Sequence, residues 1–405
     1  MTKKRIVSLI VALAMVFTAT SVAVQTTASA SETESTKAGG ASWETIDWEY
    51  GDITDNGDGT LTVVDMANRT VIVPDTINTV YCAVPTAEAM VCTLFPDKLC
   101  GWVNTPSEAS MEYLPDRLAN LPVIGGWMGQ RVTANMEDII ALNPDAIIYM
   151  GSKTMSNTDS TPDDIQDQTG IPVIVVSSEL KYTAYVYRFL GYCLDNEERG
   201  DLLANYCENA LAEIESIVAK VPEDEIPTIY YAEMDDGLST EPTGSNHTEV
   251  IDTLGLKNIA EVEMLGGQGF SEVSIEQVIN WDPEVILVSG SNAPTNYNEI
   301  TTNPVWATIK AVEDGKIYVT PNLPFNWNDR PPNIMRILGV QWLASCVYPD
   351  YVTYDIKDNV KEFFELFYNM DITDELDRRK IKYKIKEVDS EAVALAALVG
   401  QKGVA

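Results

Sequence analysis

Apolar and polar positions alternate along this chain in two rhythms. β-Branched runs at Thr60–Val64 and Thr70–Val73 flank Met66-Ala67-Asn68-Arg69 and stop at Pro74. That arrangement predicts a hairpin. An apolar strand over Thr79–Val84 follows, then a helix over Ala87–Leu94. Further on, Thr183–Leu194 and Glu197–Val221 carry apolar residues at helical spacing, among them Leu202, Leu203, Tyr206, Ala210, Leu211, Ile214 and Ile217. Pro227–Ala232 then reads as a strand, with Tyr230 or Tyr231 facing the core.

One pattern occurs twice. NMEDIIALNPDAIIYMGS at 135–152 and SIEQVINWDPEVILVSGS at 274–291 align at a constant offset of 139 residues. Glu137 falls on Glu276, Pro144 on Pro283, and Asp145 on Glu284. In each copy a cap residue, Asn135 or Ser274, opens a short helix, and Ser274 with Gln277 has capping-box spacing. Each helix must end before its proline. A continuous apolar run follows, Ala146–Met150 or Val285–Val288, suited to a strand covered on both faces. One such unit in each half predicts two similar α/β lobes. No Gly/Ser/Pro-rich linker separates them, so the helical stretch between them is expected to join them rigidly.

Charge narrows the function. With Lys+Arg 27 against Asp+Glu 61, the formal net charge is -34. Nucleic-acid binding depends on neutralising phosphates with cations and is excluded on this composition. So is adsorption to anionic lipid. A single histidine, His247, leaves no His-rich zinc site and weakens any Ser-His-Asp triad. No GxGxxG, P-loop, HExxH or CxxC motif is present. Lys3, Lys4 and Arg5, the apolar run from Ile6 to Phe17 and Ala28-Ser29-Ala30 read as a secretory signal peptide. Export to a periplasm or the cell exterior is expected. The first cysteine is Cys82, so a lipid anchor through Cys has no attachment site near the cleavage point. The other cysteines, Cys92, Cys100, Cys193, Cys207 and Cys346, mostly sit among apolar neighbours as buried thiols. A Cys92–Cys100 bridge is compatible with export.

From about Leu61 to Tyr351 the sequence resembles the solute-binding proteins of ABC importers for iron–siderophore complexes, haem, vitamin B12 and some metal oxyanions. The resemblance is carried, in order, by TVVDMANRTVIVP, by IGGWMG before the first repeat unit, by VSIEQVINWDPEVILV, by NPVWATIKAVEDGKIYVTP and by DRPPNIMRILGVQWLA. It implies two Rossmann-like α/β lobes bridged by one long α-helix. The organisation expected is then a signal peptide at 1–30, a polar leader at 31–58, an N-terminal lobe at 59–182, a bridging helix at 183–222 and a C-terminal lobe at 223–352. A helical tail at 353–405 carries a basic cluster (Arg378, Arg379, Lys380, Lys382, Lys384, Lys386) and reads as a solvated face or a strap over the acidic body.

The resemblance also implies a monomeric, non-enzymatic binder without a resident cofactor. It would capture a small-molecule metal chelate and deliver it to an ABC permease and its ATPase, touching the membrane only through that protein. An iron–siderophore type is the first expectation. Corrinoid, haem and a bare metal or oxyanion are alternatives. A secreted hydrolase using cleft carboxylates and a surface interaction protein are the competing classes. Carried over residue by residue, Glu137 and Glu276 would dock on permease arginines, although both are also first-turn carboxylates that a helix dipole favours. Ligand-binding candidates in the first lobe are Trp102, Trp127, Met128 and Arg131. In the second they come from the loop 237–248 (GLSTEPTGSNHT), with His247, and from 324–336 (PFNWNDRPPNIMR), with Trp327, Arg330 and Arg336. Tryptophans offer rigid faces to a planar or chelating ligand. Arginines offer bidentate contacts to an anionic one. His247 could touch a metal or simply sit at a helix entrance.

Overall fold

Two parallel sheets organise the protein, one in each half of the chain. A computed structural model describes residues 53–373 and Leu376, apart from 129–130, 152–160, 235, 265–269 and 291. The expected signal peptide, nearly all of the leader and the basic cluster of the tail lie outside the described residues.

The N-terminal half opens with an antiparallel meander, β1 (Ile53–Asp55), β2 (Thr60–Val64) and β3 (Thr70–Pro74). β2 and β3 are the expected hairpin, and β1 adds a strand that the apolar pattern does not announce. Asp65 folds the turn by accepting the backbone N–H groups of Ala67 and Arg69 at 3.0 and 2.9 Å. The first sheet follows, in the order β4 (Val80–Cys82), β7 (Ala146–Gly151), β8 (Val173–Ser177), all parallel. Between β4 and β7 the chain forms α1 (Pro85–Leu94), the single turn α2 (Glu108–Met111), the two-residue strands β5 (Trp127–Met128) and β6 (Arg131–Val132), and α3 (Met136–Leu142). α4 (Thr161–Thr169) leads into β8. Every residue of β7 and β8 is buried, as their unbroken apolar runs require.

The stretch expected to be one bridging helix is two. α5 (Thr183–Cys193) packs on the first sheet and on α1, and α6 (Glu197–Val218) carries the chain across to the second lobe. The break falls at Asp195, whose φ of 58° no helix can contain. The two helices cross closely where Gly191 meets Gly200, since a Cβ on Gly200 would stand 2.6 Å from the Tyr187 carbonyl oxygen. α6 spans about 33 Å at helical rise.

The second sheet runs β11 (Lys257–Asn258), β9 (Thr228–Ala232), β13 (Val285–Val288), β14 (Ile317–Val319), again parallel. Around it lie β10 (Ser239–Thr240) paired with β12 (Ser271–Glu272), and the helices α7 (Glu249–Thr253), α8 (Ile275–Trp281), α9 (Ala293–Thr302) and α10 (Lys310–Glu313). Its strands alternate between two cores. Tyr230, Ile286 and Val288 join a cluster on one face. Ile229, Tyr231, Val285 and Leu287 join the larger core that continues into the first lobe. Both tyrosines are therefore buried, one on each side. α11 (Arg336–Val347) and α12 (Ile356–Tyr368) complete the chain. α12 corrects the expectation of a polar tail. Val360, Phe363, Phe364 and Phe367 are buried at helical spacing, and Phe364 meets Tyr113 of the first lobe edge-on at 5.6 Å. Burial of each such side chain is worth roughly 1.5–3 kcal/mol.

The repeat folds the same way twice. Asn135 caps α3 by accepting from Glu137 N at 3.0 Å, and Ser274 with Gln277 forms a reciprocal capping box on α8. Both helices stop on a left-handed residue, Asn143 or Asp282, one position before the proline. Asp145 then accepts the backbone N–H groups of Asn78 and Thr79 at the entrance of β4. Its counterpart Glu284 accepts that of Thr228 at the entrance of β9. The cysteines follow the buried-thiol reading, and the Cys92–Cys100 bridge that export would permit is not formed. All six thiols are free, and burial pushes that of Cys100 up to about 12.

Candidate functional site

In a parallel sheet ligands collect beyond the carboxyl ends of the strands. A cavity of about 360 Å³ lies there in the second lobe, lined by Glu233, Met234, Gly290, Asn292, Phe325 and Arg330 among others. Glu233 directly follows β9, and Gly290 closely follows β13. Phe325 and Arg330 come from the segment after β14.

Arg330 is the centre of this floor. Its Nε donates to Glu233, and its Nη2 donates to Glu233 at 3.3 Å and to Glu241. Its guanidinium carbon stands 5.4 Å from the ring centre of Phe270, within reach of a cation–π attraction. The backbone at Arg330 is left-handed, with φ 60°, a conformation that costs a non-glycine residue of order 1 kcal/mol. Burial alone would lower the arginine pKa, but the hydrogen bond and charge of Glu233 hold it above its ordinary value.

Behind Arg330 stands a second pair. Asp329 has no exposed side-chain surface and accepts from Nδ1 of His247. Nε2 of His247 lies 3.9 Å from Glu241. Burial disfavours the imidazolium, yet Asp329 outweighs it and raises the pKa. Burial pushes Glu241 up to about 7. The loop that carries Asp329 is itself pinned, since Asn326 Oδ1 accepts from the backbone N–H groups of Asn328 and Asp329 at 2.8 and 2.9 Å. Among the described residues no group of three or more His, Cys, Asp or Glu side chains is arranged to hold a metal ion. Asp329 fixes the orientation of the His247 ring through Nδ1, and Nε2 is turned toward Glu241.

The other expected ligand contacts divide. Trp102 and Trp327 are core residues, 1% and 0% exposed, with their indole N–H groups satisfied by the carbonyls of Leu118 and Leu323 at 2.9 and 3.0 Å. Neither has surface left for a ligand. Trp327 is pressed so closely on α11 that a Cβ on Gly339 would fall 1.8 Å from its carbonyl oxygen. Arg336 is also buried. It donates to Glu249 and to the Ser178 carbonyl, and Glu249 in turn accepts from Leu180 N at 3.2 Å. It ties the start of α11 to the loop after β8, so its place is a joint between the lobes. Arg330 does line the cavity, but engaged by carboxylates.

In the first lobe, Trp127 and Met128 are half-buried and Arg131 is exposed. Their hairpin hangs from the carboxyl end of β4, where Trp127 N donates to Ala83 O at 2.9 Å. Asn104 donates to the Met128 sulfur at 3.4 Å. Nearby, the first lobe buries Glu88 of α1, whose carboxyl accepts from Val103 N. Burial pushes this carboxyl up to about 8, so it is protonated at neutral pH. Glu137 and Glu276 are exposed on the first turns of α3 and α8, one on each lobe.

Three residues of the site escaped the sequence reading: Glu233, Glu241 and Asp329. A signal existed for one of them. Glu233 ends an apolar strand at the point where ligands gather. The others show only once the 237–248 and 324–336 loops are seen together.

Comparisons with known proteins agree with this architecture. The profile of a family described as periplasmic binding protein matches residues 104–323. A solved ABC transporter solute binding protein from Sulfurospirillum deleyianum DSM 6946 is similar at 34% identity, with a TM-score of 0.72 over 78% of this chain and 97% of that one. The molybdate-binding protein MolA of Haemophilus influenzae is 24% identical over 78% of this chain and 90% of its own length. The Fe(3+)-citrate-binding protein YfmC of Bacillus subtilis is 27% identical over 47% of this chain and 58% of its own. No helix among the described residues is long and apolar enough to cross a membrane.

Proposed function

Because the chain belongs to the periplasmic binding protein family, as an extracytoplasmic solute-binding protein of an ABC importer and not an enzyme, we propose that its cargo is a metal chelate of the iron–siderophore type. The observation that carries this reading is the cavity at the carboxyl ends of β9 and β13. At about 360 Å³ it suits a small organic ligand and exceeds what a single ion fills. Its wall mixes a thioether and an aromatic ring, Met234 and Phe325, with the charged and amide groups of Glu233, Arg330 and Asn292. Such a lining fits a body that is apolar outside and polar at a few points. The names of two relatives, a molybdate binder and a ferric citrate binder, support a metal-centred solute. Trp127, Met128 and Arg131 supply the first lobe's share of the cleft in this reading. Glu137 and Glu276 are its contacts with the permease, supported by their exposure at equivalent places on the two lobes.

The test is retention. The full chain is incubated separately with ferric siderophores, ferric citrate, a corrinoid, haemin and molybdate, then desalted. Absorbance and metal analysis should show about one equivalent of a ferric chelate and no turnover of it. Retention of molybdate alone, or of nothing, would sink the chelate reading.

A further inference from the structure

The one cation in the lining of the cavity that the structure describes is already neutralised from within. The donors of Arg330 point inward, onto Glu233 through Nε and Nη2 and onto Glu241 through Nη2. The side chain of Arg330 keeps 25% of its surface exposed, while those of Glu233, Glu241 and Asp329 keep 2%, 0% and 0%. The carboxylates thus form the floor, and the guanidinium lies over it.

Three carboxyl groups face two basic ones, His247 and Arg330. With every group charged, three carboxylates face two cations and the cluster keeps one negative charge. A proton taken up by Glu241 neutralises the cluster and still leaves Arg330 bound to Glu233 through Nε and Nη2. A ligand anion would have to draw Arg330 away from a bidentate partner and leave buried carboxylates unpaired, which is the costly way to break such a pair. Otherwise it would lie beside an uncompensated charge of its own sign. The field of the whole molecule, at formal net charge -34, acts in the same direction.

We infer that Glu233 and Glu241 set the charge class of the cargo: this cavity takes a metal chelate that is neutral or cationic and rejects anionic chelates and oxyanions. The inference rests on the chelate reading above and goes further by naming the residues that select. Phe325 fits this class, since an aromatic face welcomes a cation as readily as an apolar ligand body.

Titration of intrinsic tryptophan fluorescence tests it on the full chain. The probes are a cationic and a neutral ferric trihydroxamate, a ferric tricatecholate, ferric citrate and molybdate. The unaltered protein should bind a trihydroxamate at least about 100-fold more tightly than any anionic probe. Glu233→Gln with Glu241→Gln frees Arg330 and should narrow that ratio at least about tenfold, by gaining affinity for the anions. Should the double variant fail to fold by circular dichroism, Glu241→Gln alone should narrow it about threefold. Preference of the unaltered protein for any anionic probe overturns the inference. So does a ratio that the folded variants leave unchanged. If neither the trihydroxamates nor the tricatecholate binds, the siderophore reading falls, and molybdate and ferric citrate decide the charge rule by themselves. Binding of either by the unaltered protein overturns it, and binding gained only by the variants upholds it.

Discussion

Two buried carboxyl sites, one in each lobe, are built in opposite ways. In the first, Glu88 has the Val103 N–H as its hydrogen-bond partner and escapes its charge by holding a proton, with a pKa of about 8. In the second, Glu233 and Asp329 are each buried against a basic partner, Arg330 and His247, and the hydrogen bond and charge of Arg330 oppose the upward push of burial on Glu233. The strand-and-helix frame around the two sites is nearly the same, down to the capped helices α3 and α8 and the carboxylates Asp145 and Glu284 at strand entrances. A repeated scaffold therefore does not repeat its chemistry. The loops after the strands decide whether a buried acid is silent or becomes part of a charged floor.

The largest effect should come from the one charged feature that both lobes share on their surfaces. Glu137→Arg with Glu276→Arg is expected to abolish uptake in a cell assay while leaving ligand affinity within about twofold. Normal uptake by the double variant would remove the docking role and, with it, the functional equivalence of the two helices. Next, Arg330→Met strips the second lobe of its countercharge. Loss of about 3–5 kcal/mol of stability in urea denaturation is expected, as for other broken buried pairs. The loss should shrink on acidification, as the abandoned carboxylates take up protons.

Glu88 gives the contrasting signature. Its pKa is raised on folding, so its contribution is full below the ordinary carboxyl pKa and is lost as pH climbs toward about 8. Glu88→Gln keeps the acceptor for Val103 and should flatten that decline, gaining a few kcal/mol near pH 8 and little near pH 4. Equal slopes for variant and parent would mean that Glu88 is ionised after all. The smallest effect tests the repeat itself. Asp145→Ala and Glu284→Ala each remove a carboxylate that accepts backbone N–H groups at a strand entrance. Each should cost about 1–2 kcal/mol. A difference above about 1 kcal/mol between them would show that the two positions are not equivalent.

The frame was legible because its signals are local. A cap, a proline and an apolar run sit within eighteen residues in each repeat, and the structure follows them residue by residue. The site was only half legible because its bonds are not local. Arg330 and Glu233 lie 97 residues apart, and His247 and Asp329 lie 82 apart. The resemblance to solute-binding proteins marked Arg330, but nothing along the chain says that its partners are the protein's own carboxylates. Trp127 and Trp327 look alike in sequence, each in a Gly/Pro/Asn-rich loop. One is half-buried and the other fully so, because the second loop is drawn down onto α11 at Gly339. Periodicity carries no record of such a close approach. The two helical stretches of the bridge were legible at Thr183–Leu194 and Glu197–Val221, and the turn of the backbone at Asp195 separates them.

α12 has a consequence for how the chain comes to be made. Phe364 completes an aromatic contact with Tyr113, and Phe367 completes one with Tyr187. Arg199 donates to the Phe367 carbonyl at 3.2 Å. The half synthesised first is thus sealed by a segment synthesised after both sheets, and its apolar wall lies open until about residue 368 has emerged. Closure of the first lobe is thereby tied to a helix about 170 residues further along the chain and not to its own half alone.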